Sequence, residues 1–334
     1  MRSRSGKAHG FDWRWMLLAS FCLLPLLAGR GITGVRLNRN NAKLLSALQR
    51  PGEAQLQAVA EDFAALKHGA LDDERVARQL AFLCVQGQSV ACDAALLPER
   101  EGSAFAGPLL SFWLGKAYAL RGDMPAALAL WQRAGAASYF FHQARIDVEQ
   151  GDVEQAVANL DVVVKLEPLA SDAFYLKGWI LEREGRWRES NANYAQAIAN
   201  GTFLWADMAE SARLAQAYIG FGFTEYQATH DLTHATAALE RASLLNPQDP
   251  WAFIRLCDVY RLAGDAPRAL EACDEAVRLM PDQHWALFSR ARAWVLAEQY
   301  EPAITDLKSV LELDPTYMPA RELLAEIMKR RSSE

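Results

Sequence analysis

The stretch PWAFIRLCDVYRLAGDAPRALEACDEAVRLMP, Pro250–Pro281, decides how the rest of the chain is read. It holds two apolar-periodic runs of helical spacing, broken at Gly264 and closed by Pro281. Large residues Phe253, Leu256 and Tyr260 occupy the first run, and small residues Ala269 and Ala276 the second. The same closing punctuation recurs on either side, as LLNP at Leu244–Pro247 and ELDP at Glu312–Pro315. Pro247, Pro281 and Pro315 stand 34 residues apart each time. A fixed period of that length marks a repeat architecture, in which each unit leaves an apolar face for the next to cover.

Working outward, the unit from His284 carries Leu287, Ala291, Trp294, Tyr300, Ala303, Leu307 and Pro315 at matching places, with Val310 where alanine is usual. The unit from Gln216 carries Tyr226, Ala235, Leu239, Ala242 and Pro247, but a bulky Phe223 where a small residue is expected. Residues 203–215 read as an extra helical turn or two ahead of it. The unit from Ser171 matches at Phe174, Gly178, Gly185, Trp187, Tyr194 and Ala197, with Ser190 replacing alanine. Phe140, Ala144, Gly151, Ala156, Leu160 and Pro168 match in the unit from Ala137. The unit from Pro108 matches at Leu114, Gly115, Tyr118, Gly122, Ala127, Trp131 and Ala134. Small residues let the two helices of a unit approach, and large ones fill the space between them. This pattern resembles the tetratricopeptide repeat, a helix–turn–helix unit.

The resemblance implies an all-α fold, a right-handed α-solenoid of TPR-like repeats, and the basic leader and apolar run ahead of it read as a single N-terminal transmembrane or signal-anchor helix. The expected organisation is a basic leader over 1–14, an apolar segment over 15–35, a linker and N-terminal helix over 36–73, a degenerate repeat over 74–107, six repeats over 108–317 and a capping helix and tail over 318–334. Residues 53–69 (EAQLQAVAEDFAALKHG) read as an amphipathic helix ending at Gly69. A polar outer face on the last helix, carrying Arg321, Glu322, Lys329 and Arg330, is what a solenoid end requires.

Composition and charge narrow the function. Of the 35 basic and 41 acidic residues, five basic and one acidic lie in 1–30, leaving the body at about −10. Such a body is a poor general binder of nucleic-acid phosphates. No phosphate-binding glycine loop, dinucleotide fingerprint, nucleophile elbow or H-E-x-x-H motif occurs, so we expect neither an enzyme nor a cofactor. His230 and His234 in HDLTH have helical i, i+4 spacing, which would put both rings on one face, yet they fall near a turn where histidine is ordinarily solvated. No metal is expected.

In the tetratricopeptide family, positions 2, 5, 9 and 12 of each first helix line the concave surface. The resemblance therefore implies a ligand groove of Phe112, Lys116, Phe141, Arg145, Tyr175, Trp179, Trp251, Ile254, Trp285, Phe288 and Arg292, with Asp258 and Arg261 beside them. Aromatic rings with interspersed cations suit an extended peptide or an amphipathic helix of a protein partner. A glycan stacking on the rings is the alternative, within envelope polysaccharide assembly or export. The lysine and asparagine set that clamps a peptide carboxylate in chaperone-binding members is absent.

The five cysteines form no C-x-x-C pair. Cys257 and Cys273 fall on facing sides of one unit, and Cys84 and Cys92 flank Gly87; either pair could approach disulfide distance, while free buried cysteine is the commoner state. The N-terminal WMLLASFCLLPLLAG, Trp15–Gly29, comes after an Arg-rich leader and reads as targeting. It extends to Val35 if Arg30 snorkels. An uncleaved anchor is favoured over a cleaved signal because Leu26 and Leu27 spoil the small-residue cleavage site. Basic residues flank both ends almost equally, and the leader's shape favours the body outside the cytoplasm, periplasmic or at the cell surface. The expected protein is thus a single-pass membrane scaffold.

Overall fold

The computed structural model describes residues 74–86, 107–205 and 208–331, together with 43, 57–59 and 61–62. The apolar segment 15–35 lies outside the described residues, as does Cys92. Among the described residues no helix is long and apolar enough to cross a membrane. The fold is all-α: α1 (Glu74–Val85), α2 (Pro108–Leu120), α3 (Met124–Ala134), α4 (Ala137–Gln150), α5 (Val153–Leu166), α6 (Ser171–Arg183), α7 (Trp187–Asn200), α8 (Glu210–Thr229), α9 (Leu232–Leu245), α10 (Pro250–Leu262), α11 (Ala266–Leu279), α12 (His284–Leu296), α13 (Tyr300–Leu313) and α14 (Met318–Arg331). Residues 57–59 and 61–62 are helical, inside the expected 53–69 helix. The chain divides into two compact units, 1–137 and 138–334.

In the first unit, α1 buries Leu80, Phe82 and Leu83, and Phe82 meets Trp113 of α2 edge-on at 5.1 Å. Helices α2 and α3 cross at Gly115. A Cβ there would lie 2.5 Å from Nε1 of Trp131, so only glycine lets the indole in. The indole N–H then donates to the carbonyl of Phe112 at 3.1 Å.

The second unit repeats this design. Turns between paired helices carry a left-handed residue, followed in three of them by an aspartate whose side chain caps the next helix. Gly151, Gly185 and Gly264 take the positive φ in three of them, and His230 (φ 60) and Glu298 (φ 58) in two others. Asp152, Asp231 and Asp265 accept hydrogen bonds from backbone N–H groups two or three residues on, each worth about 1 kcal/mol. Between helices of a pair, a small residue faces a large one: Gly178 against Tyr194, and Gly222 against Leu239. In α10 and α11 the equivalent places are Cys257 and Cys273, which are joined as a disulfide with Cα atoms 5.2 Å apart, both fully buried. Cys84 is disulfide-bonded as well.

Two sequence expectations are corrected. Phe223 is not the close-approach residue of α8. Gly222 is, because α8 runs on to Thr229, and only His230 and Asp231 separate it from α9. α8 runs two residues further past Gly222 than α6 runs past Gly178 or α10 past Cys257, and with the turn one residue shorter the contact shifts by one. The expected extra turn over 203–215 begins only at Glu210; residues 201–205 form a loop pinned to the start of α6. Ser171 N donates to the Thr202 carbonyl at 2.8 Å, Thr202 N to the Ser171 hydroxyl at 2.9 Å, and Leu204 N and Trp205 N to the Asp172 carboxylate.

Candidate functional site

The expected groove residues separate when placed in the structure. Phe112 and Lys116 belong to the first unit, with the Lys116 ammonium 5.5 Å from the Phe112 ring centroid. In the second unit, Arg145 is exposed, but Phe141 is 6% exposed because Trp205 of the pinned loop stacks on it at 4.7 Å. Ile254 is 4% exposed, packed with Ala276 and Ala286 where the next repeat covers it. Neither Phe141 nor Ile254 lines an open surface.

What remains forms a face across the first helices α6, α8, α10 and α12. Its polar part begins at α6, where Tyr175 donates to Gln216 Oε1 of α8 at 3.2 Å, and the Arg213 guanidinium lies 5.2 Å from the Tyr175 ring. Trp179 is half-buried beneath Arg183, 4.8 Å from its ring. One turn on, the Tyr194 hydroxyl donates to Glu182 Oε2 at 2.8 Å. Burial raises the Glu182 carboxyl above its ordinary value, and it raises the Tyr194 hydroxyl further. Burial pulls the Arg255 guanidinium down, and Glu182 and Asp258 oppose that. Arg255 itself sits 3.9 Å over the Phe223 ring.

Asp258 of α10 then links two more cations. Arg292 Nη1 of α12 donates to Asp258 Oδ1 at 3.0 Å, and Arg261 Nε lies 3.7 Å from the same oxygen, beyond hydrogen-bond reach. That Nε is buried without a hydrogen-bond partner. The Arg261 guanidinium is held below its usual range, first by burial and then by Arg292 beside it.

The apolar part is built by equivalence. Trp251 and Trp285 occupy the same place in successive units and stay 42% and 44% exposed. Trp285 stands against His284 and Tyr317, which also meets Phe288 at 5.2 Å. Leu262 and Leu296, again equivalent, are exposed at the other ends of the same helices. Sequence reasoning missed Arg213, Gln216, Phe223, Arg255 and Tyr317. The one-residue slip of α8 hid two of these, Gln216 and Phe223, while Arg213 precedes the unit. No glycine marks the turn after α8, so the sequence carried no ruler for that slip.

The two histidines of HDLTH do not share a helix face. His230 closes α8 in a left-handed conformation against Tyr226, while His234 lies in α9 with Nδ1 3.2 Å from Asp231. Among the described residues no group of three or more His, Cys, Asp or Glu side chains is placed to hold a metal.

A family model for the tetratricopeptide repeat matches residues 141–204. That stretch, from α4 to the loop after α7, is thus similar to the tetratricopeptide repeat. Anaphase-promoting complex subunit 3 of Schizosaccharomyces pombe is 22% identical over 181 residues, 54% of this chain and 26% of that protein, so the chain spans about a quarter of that relative's length. Among solved structures, YrrB, described as a TPR protein with an unusual peptide-binding site, is 18% identical over 55% of this chain and 89% of its own, with a TM-score of 0.45. MamA is 20% identical over 54% of this chain and 92% of its own, with a TM-score of 0.46. The first TPR of Spaghetti (RPAP3), bound to the HSP90 peptide SRMEEVD, is 21% identical over 36% of this chain and 95% of its own, at 0.35.

Proposed function

We propose that this protein is a scaffold that holds a partner protein on the α6–α8–α10–α12 face, with its N-terminal apolar segment tying it to a membrane. The exposure of Trp251 and Trp285 carries the reading. Large aromatic rings left in water at equivalent places of successive repeats, beside arginines, have the composition of a binding hot spot. The action is binding rather than catalysis, since the polar groups of the face are engaged with one another rather than arranged as a nucleophile and its base. The basic leader and apolar run over 1–35 support the anchor. The buried Cys257–Cys273 disulfide supports a body outside the cytoplasm, because disulfides persist in oxidising compartments.

The test pairs two measurements on the full chain in its native membrane. Crosslinking and quantitative mass spectrometry compare wild type with Trp251→Ala/Trp285→Ala; the expected result is loss of specific partners from a variant with unchanged circular dichroism. Retention of every partner refutes the groove. Protease treatment of sealed membranes then digests a C-terminal tag from outside if the body is extracytoplasmic, and protection of the tag refutes that placement.

A further inference from the structure

The central charges of this face do not balance. Arg261 and Arg292 both pair with Asp258, and Arg255, on the same helix, lies within the electrostatic influence of Asp258 and Glu182. Three guanidiniums thus meet two carboxylates, within a body whose net charge is about −10. Among the described residues the ion pairs of Arg261 and Arg292 both run to Asp258 Oδ1, which accepts a hydrogen bond from Arg292 while Arg261 Nε stays 3.7 Å away. Arg261 Nε, buried and unbonded, is the remainder of that mismatch. The Arg261 and Arg292 side chains remain 19% and 33% exposed, so a carboxylate arriving from solvent meets their outer N–H groups and adds the negative charge the cluster lacks.

The surroundings set the shape of what brings the carboxylate. Trp251 and Leu262 are eleven residues apart on α10, which is about three turns, so they lie on one side of the helix about 16 Å apart. Trp285 and Leu296 repeat that spacing on α12. Arg261 adjoins Leu262, and Arg292 is seven residues beyond Trp285 and four before Leu296, so the pair sits toward the leucine ends. About 16 Å is covered by about five residues of extended chain.

We infer that this face recognises an acidic segment of its partner: a stretch with apolar residues about five positions apart and an Asp or Glu between them, whose carboxylate bonds Arg261 and Arg292. The inference rests on the groove reading above and names the chemistry of the occupant. Attraction of an anion to a local cationic site also speeds encounter and weakens with salt, whereas contacts made by the tryptophans alone would not.

The experiment is selection of a random peptide display library on the detergent-solubilised full chain, then binding of the enriched peptides by fluorescence anisotropy. We expect enrichment of Asp or Glu between apolar residues. Arg261→Gln/Arg292→Gln should lose about tenfold in affinity or more, and the salt dependence should shrink. Arg292→Lys, which keeps the charge, should retain part of the binding and serves as the control for folding, together with circular dichroism. Neutral or basic peptides that depend on Trp251 and Trp285 but not on the arginines overturn the acidic inference and leave the groove standing. Peptides indifferent to both sets, or no enrichment at all, overturn both.

Discussion

Replacing Gly220 by alanine tests how neighbouring repeats are held together. Tyr194 projects from α7 into the seam between α6 and α8, and its ring lies against two glycines. A Cβ on Gly220 would stand 2.3 Å from Cζ, 2.5 Å from Cε2 and 2.7 Å from Cε1 of that ring. Retreat of the ring is limited by the close packing of Gly178, where even a Cβ would come within 3.0 Å of it, and by the bond from its hydroxyl to Glu182. Overpacking of this kind costs about 1–3 kcal/mol. Displacing the hydroxyl would strand the buried Glu182 carboxylate, at about 1–3 kcal/mol more. Against these, alanine is favoured over glycine in a helix interior by about 1 kcal/mol. Gly220→Ala should therefore lose about 2 kcal/mol, read as a fall in urea midpoint, with faster amide exchange in α6–α8. In a Tyr194→Leu background the methyl has room, and the same substitution should be neutral or stabilising by up to about 1 kcal/mol. Wild-type stability of the single variant, or simple additivity in the double, would refute the wedge.

Three further perturbations probe the same packing. Reducing the Cys257–Cys273 bond, which closes a 16-residue separation, should cost about 3 kcal/mol, seen as a lower denaturation midpoint with reductant that Cys257→Ala/Cys273→Ala abolishes. Arg290 binds the buried Asp306 through two hydrogen bonds of 2.8 Å and Asp274 at 3.0 Å; Arg290→Ala should cost about 2–3 kcal/mol, and adding Asp306→Asn should recover part of it in urea unfolding. The Tyr260 hydroxyl, pushed up to about 12 by burial and by Glu240 accepting its proton at 2.6 Å, keeps its proton in the folded state after the unfolded chain has lost it. Its contribution is complete below pH 10 and disappears as pH rises through about 12, and Tyr260→Phe should flatten that part of the stability profile.

How much of this was legible in the sequence depends on whether a feature lies within a repeat or between repeats. Within a repeat, helix length, turn and facing residues sit at short fixed spacings. Gly115 with Trp131, Gly178 with Tyr194 and Cys257 with Cys273 are each 16 apart, and each pair meets in the structure. Gly222 and Leu239 are 17 apart, and that one residue misled the reading of α8. A glycine at the turn is the usual ruler for register, and here His230 took the left-handed conformation in its place. Histidine is among the residues that adopt it with modest strain, so composition gave no warning.

Between repeats the register argument has no purchase, and this is where the site expectations broke. Position 5 of a first helix lines an open groove only if nothing crosses it. Phe141 is crossed by Trp205, brought there because Asp172 accepts the amides of Leu204 and Trp205 across more than thirty residues. Ile254 is covered by Ala286 of the next repeat, whereas Phe288, at the same position one repeat later, remains half-buried against Tyr317. Equivalent positions therefore differ in exposure according to which helix is stacked beyond them. The same logic explains the arginines. Arg261 and Asp258 are neighbours on α10 and legible as such, but the bond from Arg292 to Asp258 exists only once α10 and α12 are side by side. A binding surface in such a protein is a property of the stack rather than of any repeat, and substitutions that alter stacking, such as Gly220→Ala, should weaken the α6–α8–α10–α12 face without touching a residue that contacts the partner.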